Sequence, residues 1–148
     1  MNRRPTLSLV ALALWLSATA GLAENSTKVP GYTIHHNALT TDALAPSIAN
    51  AYQIRRSKNR AMLNVSVIKD VPGTTGQAVT ADVRAASRNL MGQTQVIPMR
   101  EIREGDAVYY IGDFLVGHRD NLTFDISVRP TGSDQVYTAK LSQEFYTD

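Results

Sequence analysis

The sequence predicts an all-β protein, an immunoglobulin-like antiparallel β-sandwich of about seven strands with one short helix. Residues 122–129 alternate strictly between apolar and polar side chains, which is the pattern of a strand with one buried face and one face in water. Turn-forming residues recur about every ten residues, as is typical of sandwiches. No helix of crossover length separates the predicted strands, which argues against a parallel α/β sheet. A small closed barrel is the alternative architecture.

The N-terminal half of the domain has one weak strand, one helix and one clear strand. Residues 24–30 are polar and are interpreted as a flexible leader. Tyr32–Leu39 alternates with less distinct faces, which favours an edge position. Pro46 suits the first turn of a helix, so a short helix is predicted over residues 46–53. Ala61–Lys69 alternates clearly and is predicted to be a strand.

The next segments are bounded by glycine and proline. A turn over residues 70–77 precedes a strand predicted over residues 78–86. Residues 94–103 form another strand candidate, but Pro98 lies inside it. Because proline cannot donate to a strand ladder, this strand should be bulged or at an edge. The last strand is predicted over residues 135–146.

The segment at residues 107–116 is apolar on both faces, which predicts a central strand or one covered by a loop or a partner. Gly112 inside it indicates a bulge. A short turn leads from this segment to residues 122–129. We therefore expect the two strands to form a hairpin, with Phe114 and Phe124 in one core.

The first residues are expected to direct export. Residues 1–23 combine two arginines, an uncharged apolar run over residues 7–16 and small residues after it, the pattern of a secretory signal peptide. The apolar run is too short to span a bilayer. Cleavage is predicted after Ala23, with Ala20 as the alternative. The mature protein is expected in the periplasm.

Charge and cysteine content limit the classes of partner. The chain has 15 Lys and Arg against 13 Asp and Glu. Both arginines of the signal leave with it, so the mature chain is formally neutral and basicity gives no reason to expect a nucleic-acid partner. Without cysteine the domain must be held by its core, and it has no site for an N-terminal lipid. We expect one soluble domain over residues 31–148, not integral to the membrane once the signal is cleaved.

A basic connector is the candidate binding site. Four cations precede the strand at Ala61: Arg55, Arg56, Lys58 and Arg60. Such a cluster suits an anionic glycan, a lipid headgroup or an acidic protein face. The alternative is a solvated loop whose cations pair with Glu101, Glu104 or Asp106.

The histidines do not form a recognisable metal motif. His35 and His36 are adjacent, so in a strand they point to opposite faces, and His118 lies in a distant turn. No local ligand spacing is present, and no metal or other cofactor is predicted. The carboxylates are scattered and there is no Gly-x-Ser-x-Gly motif, so no catalytic residue is assigned.

Four stretches carry a family resemblance: Tyr32–Thr41, Ala51–Val67, Arg103–Gly112 and Gln143–Tyr146. They resemble a family of small exported proteins of Gram-negative bacteria that is catalogued only as a domain of unknown function. The resemblance covers nearly the whole mature chain and implies a periplasmic single-domain protein. It implies no activity, ligand or catalytic residue.

The sequence therefore favours a non-catalytic periplasmic binding or protein-interaction module of the cell envelope. Its expected partner is an envelope protein, an anionic glycan or a lipid headgroup, and its oligomeric state is open. The alternative is a metal-dependent factor or enzyme that uses His35, His36 or His118 with nearby acids.

Overall fold

Ten strands form the two layers of the domain in the computed structural model, which describes residues 25–148. The predicted signal peptide and its cleavage site lie outside these residues. The strands are β1 (Asn25–Val29), β2 (Tyr32–Thr40), β3 (Arg60–Lys69), β4 (Gln77–Ala78), β5 (Ala81–Arg88), β6 (Thr94–Ile97), β7 (Arg100–Glu104), β8 (Ala107–Leu115), β9 (Asp120–Pro130) and β10 (Tyr137–Phe145). A 3₁₀ helix (Thr41–Ala43) and an α-helix, α1 (Pro46–Ala51), lie between β2 and β3.

The strands divide into two antiparallel sheets. The first has the order β1-β2-β3-β8-β7, with the short β4 paired to β3. The second has the order β10-β9-β5-β6. Every pair is antiparallel, so the predicted sandwich is confirmed, with ten strands instead of seven.

The core between the sheets is built on the alternation first seen in residues 122–129. Strand β9 buries the four apolar side chains of that pattern: Leu122, Phe124, Ile126 and Val128. Phe124 meets Phe114 of the other sheet at a ring-centroid distance of 5.4 Å and Phe145 at 6.3 Å. The prediction that Phe114 and Phe124 share one core is confirmed.

The interpretation of residues 24–30 as a leader is wrong for Asn25–Val29. These residues are β1, paired with β2 from Asn25↔His36 to Val29↔Tyr32. Strand β2 consequently lies between β1 and β3 and is not an edge. A five-residue polar strand carries too little apolar alternation to be recognised without its partner.

Two segments predicted as single strands are each divided. Residues 94–103 break at Pro98 into β6 and β7, which are edge strands of different sheets. Residues 78–86 also divide between the two sheets, with β4 in the first sheet and β5 in the second. Pro98 therefore lies beside edge strands, as predicted, and it also lies where the chain crosses from one sheet to the other.

Strands β8 and β9 do not form the predicted hairpin. They belong to different sheets, and the turn between them crosses the sandwich. Nor does Gly112 mark a bulge, because its register with Leu63 of β3 is regular. A side chain at Gly112 would meet the crossing segment, with Ile97 Cγ2 and the Pro98 carbonyl oxygen both 2.6 Å from an added Cβ.

A second, smaller core explains why β8 is apolar on both faces. Its outer face is covered by the chain between β2 and β3, which packs Ile54 against Met62 and Ile111. Tyr52 follows α1 and joins this cluster. The predicted cover by a loop is confirmed, and the cover fixes the position of the basic connector. Residues 25–148 include no helix long and apolar enough to cross a bilayer.

Candidate functional site

One end of the sandwich gathers three connecting segments and the residues that follow β10, which together we call the loop end: residues 41–59, 89–93, 116–119 and 146–148. The strand register places them together. Arg60 pairs with Leu115, Arg88 with Thr94, and Asp120 with Phe145, so all of these strand termini lie at the same end of their sheets. The candidate connector is part of this end.

The backbone of the connector is held in place by hydrogen bonds to the side chain of buried Thr41. The Thr41 hydroxyl donates to the Arg55 carbonyl oxygen at 2.8 Å and accepts from the Ser57 amide at 2.9 Å. Arg56 donates from Nε to the Leu44 carbonyl at 2.8 Å and from Nη2 to the Asp42 carbonyl at 2.9 Å. These contacts satisfy backbone carbonyls of the short helical segment that would otherwise lack partners.

The four predicted cations therefore divide into two roles. Arg60 pairs with Asp113, with Nε 3.1 Å from Oδ2, and Arg56 supports the backbone of the connector. Arg55 and Lys58 are exposed, and within residues 25–148 their side chains make no hydrogen bond or ion pair. The pairing with Glu101, Glu104 or Asp106 that the alternative required is not found within residues 25–148, so that part of the alternative is wrong.

A rigid apolar tip stands at the same end, in the turn between β5 and β6. Leu90 and Met91 are 84% and 82% exposed. Asn89 holds the turn: its Oδ1 accepts from the Met91 amide at 3.0 Å and the Gln93 amide at 2.9 Å. Its Nδ2 donates to Gln93 Oε1 at 2.8 Å. These hydrogen bonds hold the backbone of the turn, and its two apolar side chains lie in water.

The tip and the connector adjoin through the end of β8. Leu115, which is 65% exposed, lines a cavity of about 280 Å³ together with Asn89 and Gln93 of the tip. The next residue, Val116, donates its amide to the Asn59 carbonyl of the connector at 2.9 Å. We call the set Arg55, Lys58, Leu90, Met91 and Leu115 the loop-end surface.

The three histidines lie in three separate places. His36 is buried, with Nε2 2.9 Å from Thr27 Oγ1. His118 is at the loop end, where Nε2 is 3.1 Å from Asp148 Oδ2. His35 lines a polar cleft of about 610 Å³ with Lys28 and Asp70. Within residues 25–148 no three His, Asp or Glu side chains are grouped to hold a metal ion.

Burial lowers the pKa of His36 from its ordinary 6.5, and the charge of neighbouring His35 acts in the same direction, although a hydrogen bond to its own backbone opposes them. Below pH 6.5, therefore, His36 binds a proton in the unfolded chain but stays neutral in the folded state until the pH reaches its lowered pKa. The His36 contribution to stability is complete at neutral pH and falls as the pH drops from 6.5 toward the lowered folded pKa.

His36→Gln should therefore flatten the pH dependence of stability. We expect the free energy of unfolding of the variant, from urea titrations, to fall less between about pH 7 and pH 5 than that of the wild type. His118→Gln, which removes an imidazole with 41% of its side-chain surface exposed, is the matched control. Equal slopes for the wild type and His36→Gln would mean that His36 titrates alike in both states.

The acids near β7 are engaged in structural contacts. Glu101 accepts from the Tyr110 hydroxyl at 2.8 Å and from Arg103 Nε at 3.0 Å, and these hydrogen bonds lower the pKa of Glu101. Burial raises the pKa of Tyr110 to about 12, and its hydroxyl also accepts from the Ala81 amide of the other sheet. A hydrogen bond to Glu104 raises the pKa of Tyr52 to about 12. The hydroxyl of Tyr110 thus joins β8 to β5 and β7, and the Tyr52–Glu104 hydrogen bond joins the segment after α1 to β7.

The fold and the site together define a small β-sandwich domain with hydrogen-bonded loops at one end. The model of the family described as a domain of unknown function, DUF4426, matches residues 26–148. The chain belongs to this family.

Solved structures share the fold. A DUF4426 family protein of Pseudomonas aeruginosa PAO1 is 26% identical, with a TM-score of 0.73 over 84% of this chain and 96% of that one. FetP of uropathogenic Escherichia coli, expressed recombinantly in the periplasm, is 11% identical, with a TM-score of 0.57 over 82% and 93%. A copper-bound variant of FetP is 12% identical, with a TM-score of 0.59 over 83% and 95%. No curated protein matches the chain.

Proposed function

We propose that this domain is a non-catalytic binding module of the cell envelope and that the loop-end surface is the part that binds. One observation carries the proposal: the Asn89 turn holds Leu90 and Met91 outward, each more than four-fifths exposed. Single exposed apolar residues are common, but two adjacent ones on a hydrogen-bonded turn beside Leu115 form a patch.

Rigidity makes this patch suited to binding. Burial of a leucine or methionine side chain contributes about 1.5–3 kcal/mol, and a turn that is already ordered loses little further conformational entropy on binding. The anchored connector presents Arg55 and Lys58 in the same way. The surface thus offers apolar contact and positive charge without a folding step.

The proposal of a non-catalytic role is supported by the separation of the reactive side chains. His36 is buried with Thr27, and Glu101 is bound by Tyr110 and Arg103. Export is proposed on the pattern of residues 1–23, and the similarity in fold to FetP, which was expressed in the periplasm, supports it.

Replacing both tip residues should release the protein from the envelope. We expect Leu90→Ser with Met91→Ser to weaken co-sedimentation of the purified exported protein with isolated envelopes by roughly tenfold or more, the equivalent of about 1.4 kcal/mol. Stability should be unchanged, because neither side chain is in the core.

Val136→Ser is the matched control for this experiment. Val136 is 57% exposed and lies in the β9–β10 connection, at the other end of the sandwich. It should leave envelope binding at the wild-type level. Binding that survives in the tip variant, or that is lost equally in the control, would refute the loop-end surface as the binding site.

The alternative function is a metal-dependent factor or enzyme. The observation in its favour is that His35 and Asp70 line one polar cleft. Stoichiometric zinc or copper in the purified protein would favour this alternative over the binding module.

A further inference from the structure

We infer that the loop-end surface docks on an anionic lipid bilayer, an inference that rests on the proposed function and names its partner. Two features of this end of the sandwich point to a bilayer. One is the shape and chemistry of the tip, and the other is the sign of the charges beside it.

The apolar part of the tip is exposed, and it is small. Leu90 and Met91 are the apolar side chains of the β5–β6 turn, and Leu115, which is 65% exposed, lines a cavity with Asn89 and Gln93 of the same turn. A stable protein–protein interface needs about 800 Å² from each partner, which three side chains do not supply. A bilayer needs no matching pocket, since apolar side chains can enter the boundary between headgroups and acyl chains directly.

The charges beside the tip favour anionic headgroups. Arg55 and Lys58 have no partner within residues 25–148, and Arg56, which donates to carbonyls, keeps its positive charge. Basic side chains at an anionic membrane surface each add to binding, and the effect falls off within a Debye length.

Three acids at or beside the loop end make contacts within the domain, and the contact of Asp113 with Arg60 pairs opposite charges. Asp113 pairs with Arg60, Asp120 Oδ2 accepts from the Gly117 amide at 2.6 Å, and Asp148 pairs with His118. Arg56 Nη2 donates to the backbone carbonyl of Asp42, and one oxygen of the Asp42 carboxylate is buried without a hydrogen bond. Among the cations of the loop end, Arg55 and Lys58 are the ones whose side chains make no hydrogen bond or ion pair within residues 25–148.

The test is co-sedimentation of the purified exported protein with protein-free vesicles. One set contains phosphatidylglycerol and phosphatidylethanolamine in equal amounts, and the other contains phosphatidylcholine alone. We expect binding to the anionic vesicles that weakens as salt is added and that Leu90→Ser with Met91→Ser abolishes. Arg55→Gln with Lys58→Gln should weaken it by roughly twenty- to thirtyfold, at about fivefold for each charge.

A matched charge control separates docking from general attraction. Arg84→Gln with Lys140→Gln removes the same charge from the outer face of the second sheet, where these side chains are 79% and 69% exposed. This pair should bind anionic vesicles as the wild type does. Equal weakening by both pairs would overturn the inference, because it would show that only net charge matters.

Failure of this inference can be distinguished from failure of the proposed function. If envelopes bind through Leu90 and Met91 while anionic vesicles do not, the membrane inference is wrong and the binding module stands, with an envelope protein as its partner. If neither envelopes nor vesicles bind, both are wrong.

Discussion

Replacing Phe124 with alanine is expected to lower the free energy of unfolding by about 3–5 kcal/mol, measured by urea or thermal titration. Phe124 is fully buried on β9 and stands between two other rings, Phe114 at 5.4 Å and Phe145 at 6.3 Å. Alanine would leave a ring-sized cavity where the two sheets meet. It would also remove tilted and edge-on contacts that add to simple burial.

The control for this variant is the neighbouring outward residue. Thr123→Ala removes a hydroxyl that lies 3.1 Å from Ser142 Oγ on the exposed face of the same sheet. Its cost should stay within about 1 kcal/mol, because the groups it leaves can bind water. A cost below about 1 kcal/mol for Phe124→Ala itself would place β9 at the periphery and contradict the organisation of the core.

Gly112→Ala is expected to cost about 2–3 kcal/mol of unfolding free energy. An added Cβ would lie 2.6 Å from both Ile97 Cγ2 and the Pro98 carbonyl oxygen, and 2.7 Å from Met99 Sδ. A side chain can turn away, but the Pro98 carbonyl belongs to the backbone that crosses between the sheets. The crossing segment must therefore shift, and the pairing of β7 with β8 should weaken with it.

Gly117→Ala offers a matched glycine in the β8–β9 turn. There an added Cβ would be 3.3 Å from Asp120 Oδ2, the end of a side chain that can move. We expect its cost to be clearly smaller. Equal stability losses for Gly112→Ala and Gly117→Ala, measured in the same titration, would show that the close approach at Gly112 does not constrain the crossing.

Strand positions could be predicted from sequence because each depends on local alternation. Strand β9 and the buried faces of β3 and β5 follow the pattern directly. Pairing depends on partners distant in sequence, so the pattern could not show that β8 and β9 lie in different sheets. Strand β1 was missed because its stability comes from pairing with β2, which its own residues do not encode.

The candidate site shows the same limit. The cations of the connector were visible as a cluster, but a cluster does not reveal that Arg60 pairs with Asp113 or that Arg56 supports the chain. The tip lies in residues 89–93, to which no functional role was assigned from the sequence. Its signal was Asn89 followed by two apolar residues, and their exposure depends on the hydrogen bonds that the Asn89 side chain makes.

Site-specific photocrosslinking in living cells shows whether the loop-end surface contacts the envelope. A photoreactive amino acid at position 91 reports on the tip, and the same group at position 136 reports on the opposite end. We expect crosslinks to lipid or to an envelope component from position 91 and none from position 136. Crosslinks from position 136 alone, or equally from both positions, would contradict this expectation.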